Sequence, residues 1–98
     1  GENTTIGLVA TNAKLTKSDV HRMALMADDG FARAIFPAHT MGDGDTVFSL
    51  ATGTWTGQAN ITQIGALAAD VMARAIVRAA TEATGLPNIP AARDLPKR

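Results

Sequence analysis

Cysteine is absent from the 98-residue chain, which excludes a disulfide framework and any thiolate metal site. Tyrosine is absent too, and aromatic residues make up only 4% of the sequence. Net charge is missing: nine basic residues balance nine acidic ones, so a general nucleic-acid binder, with its basic face, is not expected. No apolar run approaches the ~20 residues that would span a bilayer, so no membrane segment is expected. Nothing in the sequence calls for a metal or a cofactor. Gly1 rather than Met stands first, and no charged-then-apolar leader follows. A targeting segment is therefore not expected, a cytoplasmic setting is, and the chain reads as a piece of a longer one.

What is present is small. Nineteen residues are Ala and twelve are Thr within a hydrophobic share of 46%. That share supports a folded core, but small side chains bury little area each, at roughly 25 cal/mol per Å². A single domain of this size with so few large core residues is marginal alone, and a partner surface is expected.

The pattern along the chain is β-α-β-α. Thr5 to Thr11 (TIGLVAT) is an apolar, β-branched run that predicts a largely buried strand. Thr16 offers an N-cap, and Val20, Met23, Ala24, Ala27, Phe31 and Ala34 recur at helical spacing behind it. Gly30 marks a helix end or a close contact, and Pro37 stops what remains. Thr46 to Thr52 (TVFSLAT) predicts a second strand. Asn60 caps a long helix over about 61–83, with Ile61, Ile64, Ala68, Val71, Ala75 and Ala79 as its inner stripe and Asp70–Arg74 as an outer ion pair. Gly85 is a candidate C-cap, and the Pro-rich tail over 87–98 is expected to be extended. Residues 1–3 stand apart as a junction before the domain over 4–86.

Two segments carry candidate chemistry. The 36 residues between Arg33 and Asp70 hold only two charged side chains, Asp43 and Asp45. A solvated Asp-Gly turn fits them, and so does a carboxylate pair that orients or deprotonates a nucleophile; a calcium loop lacks its further ligands. The other segment is Asn3-Thr4-Thr5. A Thr hydroxyl becomes nucleophilic beside a base, and a Thr at a chain terminus supplies its own α-amine. A Thr-rich strand start explains the same residues without chemistry. His39, His21, Trp55 and the Lys97–Arg98 tail read as a loop cap, a solvent-facing residue, a subunit contact and a solvated end.

Together the segments resemble the DmpA-like L-aminopeptidase/D-esterase family, through NTTIGLVATNA at Asn3–Ala13, DDGFARAIFPAHT at Asp28–Thr40 and GDGDTVFSLATG at Gly42–Gly53. The resemblance is nearest to the nylon-oligomer hydrolase branch and implies the C-terminal small subunit of an N-terminal-nucleophile hydrolase. Its implied architecture is a mixed α/β (α+β) stacked αββα sandwich, completed by a large α subunit cut from the same precursor. It further implies Thr4 as nucleophile, Asn3–Thr4 as the self-cleaved bond, and Asp43 and Asp45 as the acidic pair beside them. The large subunit would supply the oxyanion hole and most of a pocket for an amide, peptide or oligoamide, and αβ units would assemble into a higher oligomer. Gly1, Glu2 and Asn3 precede Thr4, so its amine is held in a peptide bond until that bond is cut. Two alternatives stand beside this reading: an ornithine/glutamate-type acetyltransferase, which shares the architecture, and a non-catalytic assembly module.

Overall fold

The computed structural model describes residues 4–35 and 44–96. Its elements are β1 (Ile6–Thr11), α1 (Lys17–Ala27), α2 (Asp29–Ala34), β2 (Thr46–Ala51), α3 (Ile61–Glu82) and one 3₁₀ turn at Ala92–Asp94. The fold is mixed α/β. β1 and β2 pair in parallel, with Ile6 opposite Thr46 and Thr11 opposite Ala51. Parallel pairing requires a crossover, and α1 with α2 falls between the two strands in the chain. The expected caps are in place: Thr16 Oγ1 accepts from the Asp19 N–H at 3.1 Å, and Asn60 Oδ1 from the Gln63 N–H at 3.1 Å.

The first helical stretch is two helices, broken at Asp28. Gly30 lets the second piece lie close against α3. A Cβ there would lie 2.6 Å from the Ala69 carbonyl oxygen and 2.9 Å from the Ala73 nitrogen, so α2 rests directly on the backbone of α3. Because these are backbone atoms, they cannot swing aside. Gly30→Ala would gain up to ~1 kcal/mol of helix propensity, but overpacking costs about 1–3 kcal/mol. The expected net result is a lower urea midpoint for the purified protein.

The core lies between the helices and one face of the sheet. Met23, Ala27, Phe31, Ala68 and Met72 are buried, and Val9, Val47, Ile64 and Ile76 pack against them. Gly7 lets the helix layer sit down on β1, since a Cβ there would be 2.8 Å from Met72 Cε and 3.2 Å from Phe31 Cε1. Ser49 ties β2 to α1, its hydroxyl donating to the Val20 carbonyl at 2.6 Å.

Three expectations are corrected. β1 is not largely buried: Gly7, Val9 and Thr11 face the helices, while Ile6 and Leu8 are 70% and 62% exposed. Phe48 and Leu50 on β2 share that open face. The strands carry apolar residues on both faces, as in a sheet covered twice, and among the described residues only one face is covered. On α3 the buried row is Gly65, Ala68, Ala69 and Met72, flanked by half-buried Ile61, Ile64 and Ile76. Val71, Ala75 and Ala79 are exposed, because α1 and α2 take the neighbouring row, where Gly65 and Ala69 leave room. The third correction concerns the end of α3. Gly85 is not its cap: the helix ends at Ala83, in an extended conformation, and Arg93 folds back so that its Nη2 donates to the Glu82 carbonyl at 2.7 Å. That contact satisfies a carbonyl the helix leaves without a partner. The following segment holds a tight turn, with Leu86 and Ile89 exchanging backbone hydrogen bonds and Asn88 at φ 66°, and then the 3₁₀ turn. The Asp70–Arg74 pair forms on the exposed side, Nε to Oδ2 at 3.4 Å.

Candidate active site

In-register parallel pairing places the N-terminal ends of both strands side by side. Thr4, exposed, leads into β1, and half-buried Gly44 and Asp45 lead into β2. Both backbone polar groups of Thr5 are held from the β2 side. Its N–H donates to Asp45 Oδ1 at 2.9 Å, and its carbonyl accepts from the Thr46 N–H at 3.0 Å. The Thr46 hydroxyl donates back to the Gly44 carbonyl at 3.4 Å, which tightens the bend that presents Asp45. A carboxylate on the N–H of a strand residue is a charge-assisted hydrogen bond, stronger than a neutral one. It holds the Asp45 carboxylate on the backbone of the residue that follows Thr4.

Of the residues singled out in the sequence, Asp45 and the Thr4–Thr5 segment are thus brought together. Asn3, Asp43 and His39 lie outside the described residues. Trp55 sits at the other end of the strands, its backbone N–H on the Asn12 carbonyl at 2.8 Å. Eight residues of strand rise separate Asn12 from Thr4, roughly 25 Å, so Trp55 is no platform for chemistry at Thr4.

Two side chains were not placed near the site by the sequence reading. His21 and Asp28 line, with Asp45, Leu25 and Val47, a hollow of about 140 Å³. Their spacing of seven residues, two helical turns, puts His21 of α1 and the C-cap Asp28 on one side of that helix. That was the available signal, but nothing in the sequence says the side faces β2. Among the described residues no group of His, Asp and Glu is arranged to hold a metal ion, and no helix is long and apolar enough to cross a membrane.

Comparison with known proteins follows the same residues. The family model described as peptidase family S58 matches residues 1–91. An uncharacterized aminopeptidase of Mycobacterium leprae is 46% identical over 90% of this chain and 28% of its own length. One of Mycobacterium tuberculosis is 42% identical over 95% of this chain and 31% of its own length. A 6-aminohexanoate-oligomer endohydrolase of a Kocuria species is 34% identical over 80% of this chain and 25% of its own length. The chain therefore spans about three tenths of the length of the curated relatives it matches.

Proposed function

This chain belongs to peptidase family S58, the DmpA family, and on that premise we propose that it is the nucleophile-bearing part of an amide hydrolase that cuts its own backbone before Thr4. The observation that carries the reading is the hydrogen bond from the Thr5 N–H to Asp45 Oδ1 at 2.9 Å, which holds a carboxylate against the proposed nucleophile's own strand.

The chemistry runs in two stages. In the first, Thr4 Oγ1 attacks the carbonyl carbon of Asn3; the C–N bond breaks, the amine takes the hydroxyl proton, and an ester links the two residues. Water hydrolyses that ester, leaving Asn3 as a carboxylate and Thr4 with a free α-amine. In the second, that amine, with a reference pKa of ~7.7–8.0, accepts the Thr4 hydroxyl proton as Oγ1 attacks a substrate amide. The leaving amine takes the proton, an acyl-enzyme remains, and water releases the acid. General-base assistance of this kind contributes ~10²–10⁴-fold. Asp45, together with Asp43, holds the amine and hydroxyl of Thr4 in the attacking geometry.

The remaining part of the polypeptide is the partner. It supplies the oxyanion hole and most of the substrate pocket, and it covers the open apolar sheet face formed by Ile6, Leu8, Phe48 and Leu50. Names borne by the relatives point to two substrate types, peptides with a free amino end and oligomers of 6-aminohexanoate. The cysteine-free sequence asks nothing of an oxidising compartment, and we place the enzyme in the cytoplasm. The test is an assay of the whole processed protein on an amino-acid anilide, on 6-aminohexanoate oligomer and on an N-acetylated amino acid with glutamate as acceptor. Amine release from either of the first two supports the reading. Acetyl transfer to glutamate without amide hydrolysis contradicts it and favours the acetyltransferase alternative.

A further inference from the structure

α2 is a six-residue helix that rests on α3 at Gly30, where a Cβ would lie 2.8 Å from Met72 Cβ and 2.9 Å from the Ala73 nitrogen. One turn further along, the facing side chains are Ala34 on α2 and Ala73 on α3, both small and half-buried. Side chains of this size do not fill the cleft between the helices. A hollow of about 390 Å³ remains there, lined by Arg33, Ala34, Ala73, Arg74, Val77 and Arg78. Its floor is apolar, with Val77 52% exposed. Its rim is cationic, since each charged side chain that lines it is an arginine.

Three like charges around one hollow repel one another, and Arg74 and Arg78, one helical turn apart, make a destabilising pair. The chain is balanced overall at nine basic and nine acidic residues, so this concentration is local. The acids on the same helices leave it largely in place. Asp70 meets Arg74 Nε at 3.4 Å, and the terminal nitrogens of that guanidinium stay open among the described residues. Glu82, one turn beyond Arg78, is paired with Arg93. Among the described residues the guanidinium groups of Arg33 and Arg78 have no hydrogen bond and no ion pair.

We propose that this hollow binds an amphipathic carboxylate, a small-molecule acid with an apolar chain. The arginine forks match the two oxygens of a carboxylate, and their methylene stems extend the apolar floor. The chain of the acid covers Ala34, Ala73 and Val77, and the volume is that of a small-ligand site. A phosphate ester fits worse. Its further oxygens call for additional donors, and the side chains beyond the arginines, two Ala and one Val, offer none. An acidic protein segment also fits worse, because its backbone groups would lie unpaired on the apolar floor. The hollow shares no residue with the Thr4–Asp45 site and stands independently of the hydrolase reading.

Calorimetric titration of the whole processed protein with octanoate tests this. Saturable binding at one site per copy of this chain is expected, with a Kd of about 1 mM or below, the range that about ten non-hydrogen atoms support. Octanol, the chain without the charge, and inorganic phosphate, the charge without the chain, are each expected to bind at least ~10-fold more weakly. Arg33→Ala and Arg78→Ala are each expected to weaken octanoate binding at least ~10-fold. Both residues are exposed, so an unchanged melting temperature is expected to accompany the loss. No saturation by ~10 mM octanoate, or an unchanged affinity when both arginines are replaced, overturns the proposal. Phosphate binding as tightly as octanoate overturns it in favour of a general anion patch, and octanol doing so overturns it in favour of an apolar one. Amide hydrolysis and cleavage at Asn3–Thr4 are measured separately, so these outcomes leave the hydrolase reading where it stands.

Discussion

Thr4→Ala is expected to leave the polypeptide uncut at Asn3–Thr4 and to lower amide hydrolysis by ~10⁴-fold or more, the scale seen when a nucleophile and its base act as one unit. The size of the effect follows from Thr4 serving twice. In the proposed mechanism its hydroxyl starts the backbone cleavage, and the amine that cleavage frees becomes the base for every later turnover. Without Oγ1 neither stage begins. The substitution is otherwise mild, because Thr4 is exposed and precedes β1, where surface changes shift stability within about 0.5 kcal/mol. An inactive but folded protein is therefore the expected product, seen as a single uncut chain with an unchanged melting temperature. Thr4→Ser keeps a hydroxyl in the same place and is expected to retain both cleavage and hydrolysis. Full activity in Thr4→Ala would remove Thr4 from the mechanism.

The next largest effect is expected at Asp45. Asp45→Ala removes the acceptor of the Thr5 N–H and the charge proposed to orient Thr4, and kcat/KM is expected to fall by ~10²–10⁴-fold. A hydrogen bond to a charged group contributes about 1.5–3 kcal/mol, so the strand end loosens too. Asp45→Asn separates the two roles. The amide oxygen can still accept from Thr5, so thermal stability is expected near that of the unsubstituted protein. The charge is gone, so activity is expected near that of Asp45→Ala. Full activity in Asp45→Asn would mean that the carboxylate acts only as a structural acceptor.

Local features were legible in the sequence, and features set by contacts between distant segments were not. Thr16 and Asn60 act on N–H groups three residues away, so their capping could be read from spacing alone. Asp70 and Arg74 are likewise one helical turn apart. The meeting of Asp45 with the Thr4–Thr5 segment was readable because two parallel strands in register must bring their starting ends together. The close approach of Gly30 to the α3 backbone was not, since no local propensity encodes which segment packs there. The buried row of α3 was misread for a related reason: a helix rich in Ala and apolar residues offers several faces of similar hydropathy. Which one is buried depends on where α1 and α2 land. Apolar residues on both faces of β1 said that it could be covered twice, but nothing in the pattern says where the second cover comes from. Arg93 on the Glu82 carbonyl joins residues eleven apart through a turn that spacing does not specify.

Thr4 is proposed to become a chain terminus and to act from there. Intact mass of the smaller polypeptide in the active, processed protein, together with its terminal residue, tests this most directly. The expected result is a polypeptide that starts at Thr4 with a free α-amine. A smaller polypeptide that starts at any other residue, or an active enzyme whose Asn3–Thr4 bond is intact, would contradict it.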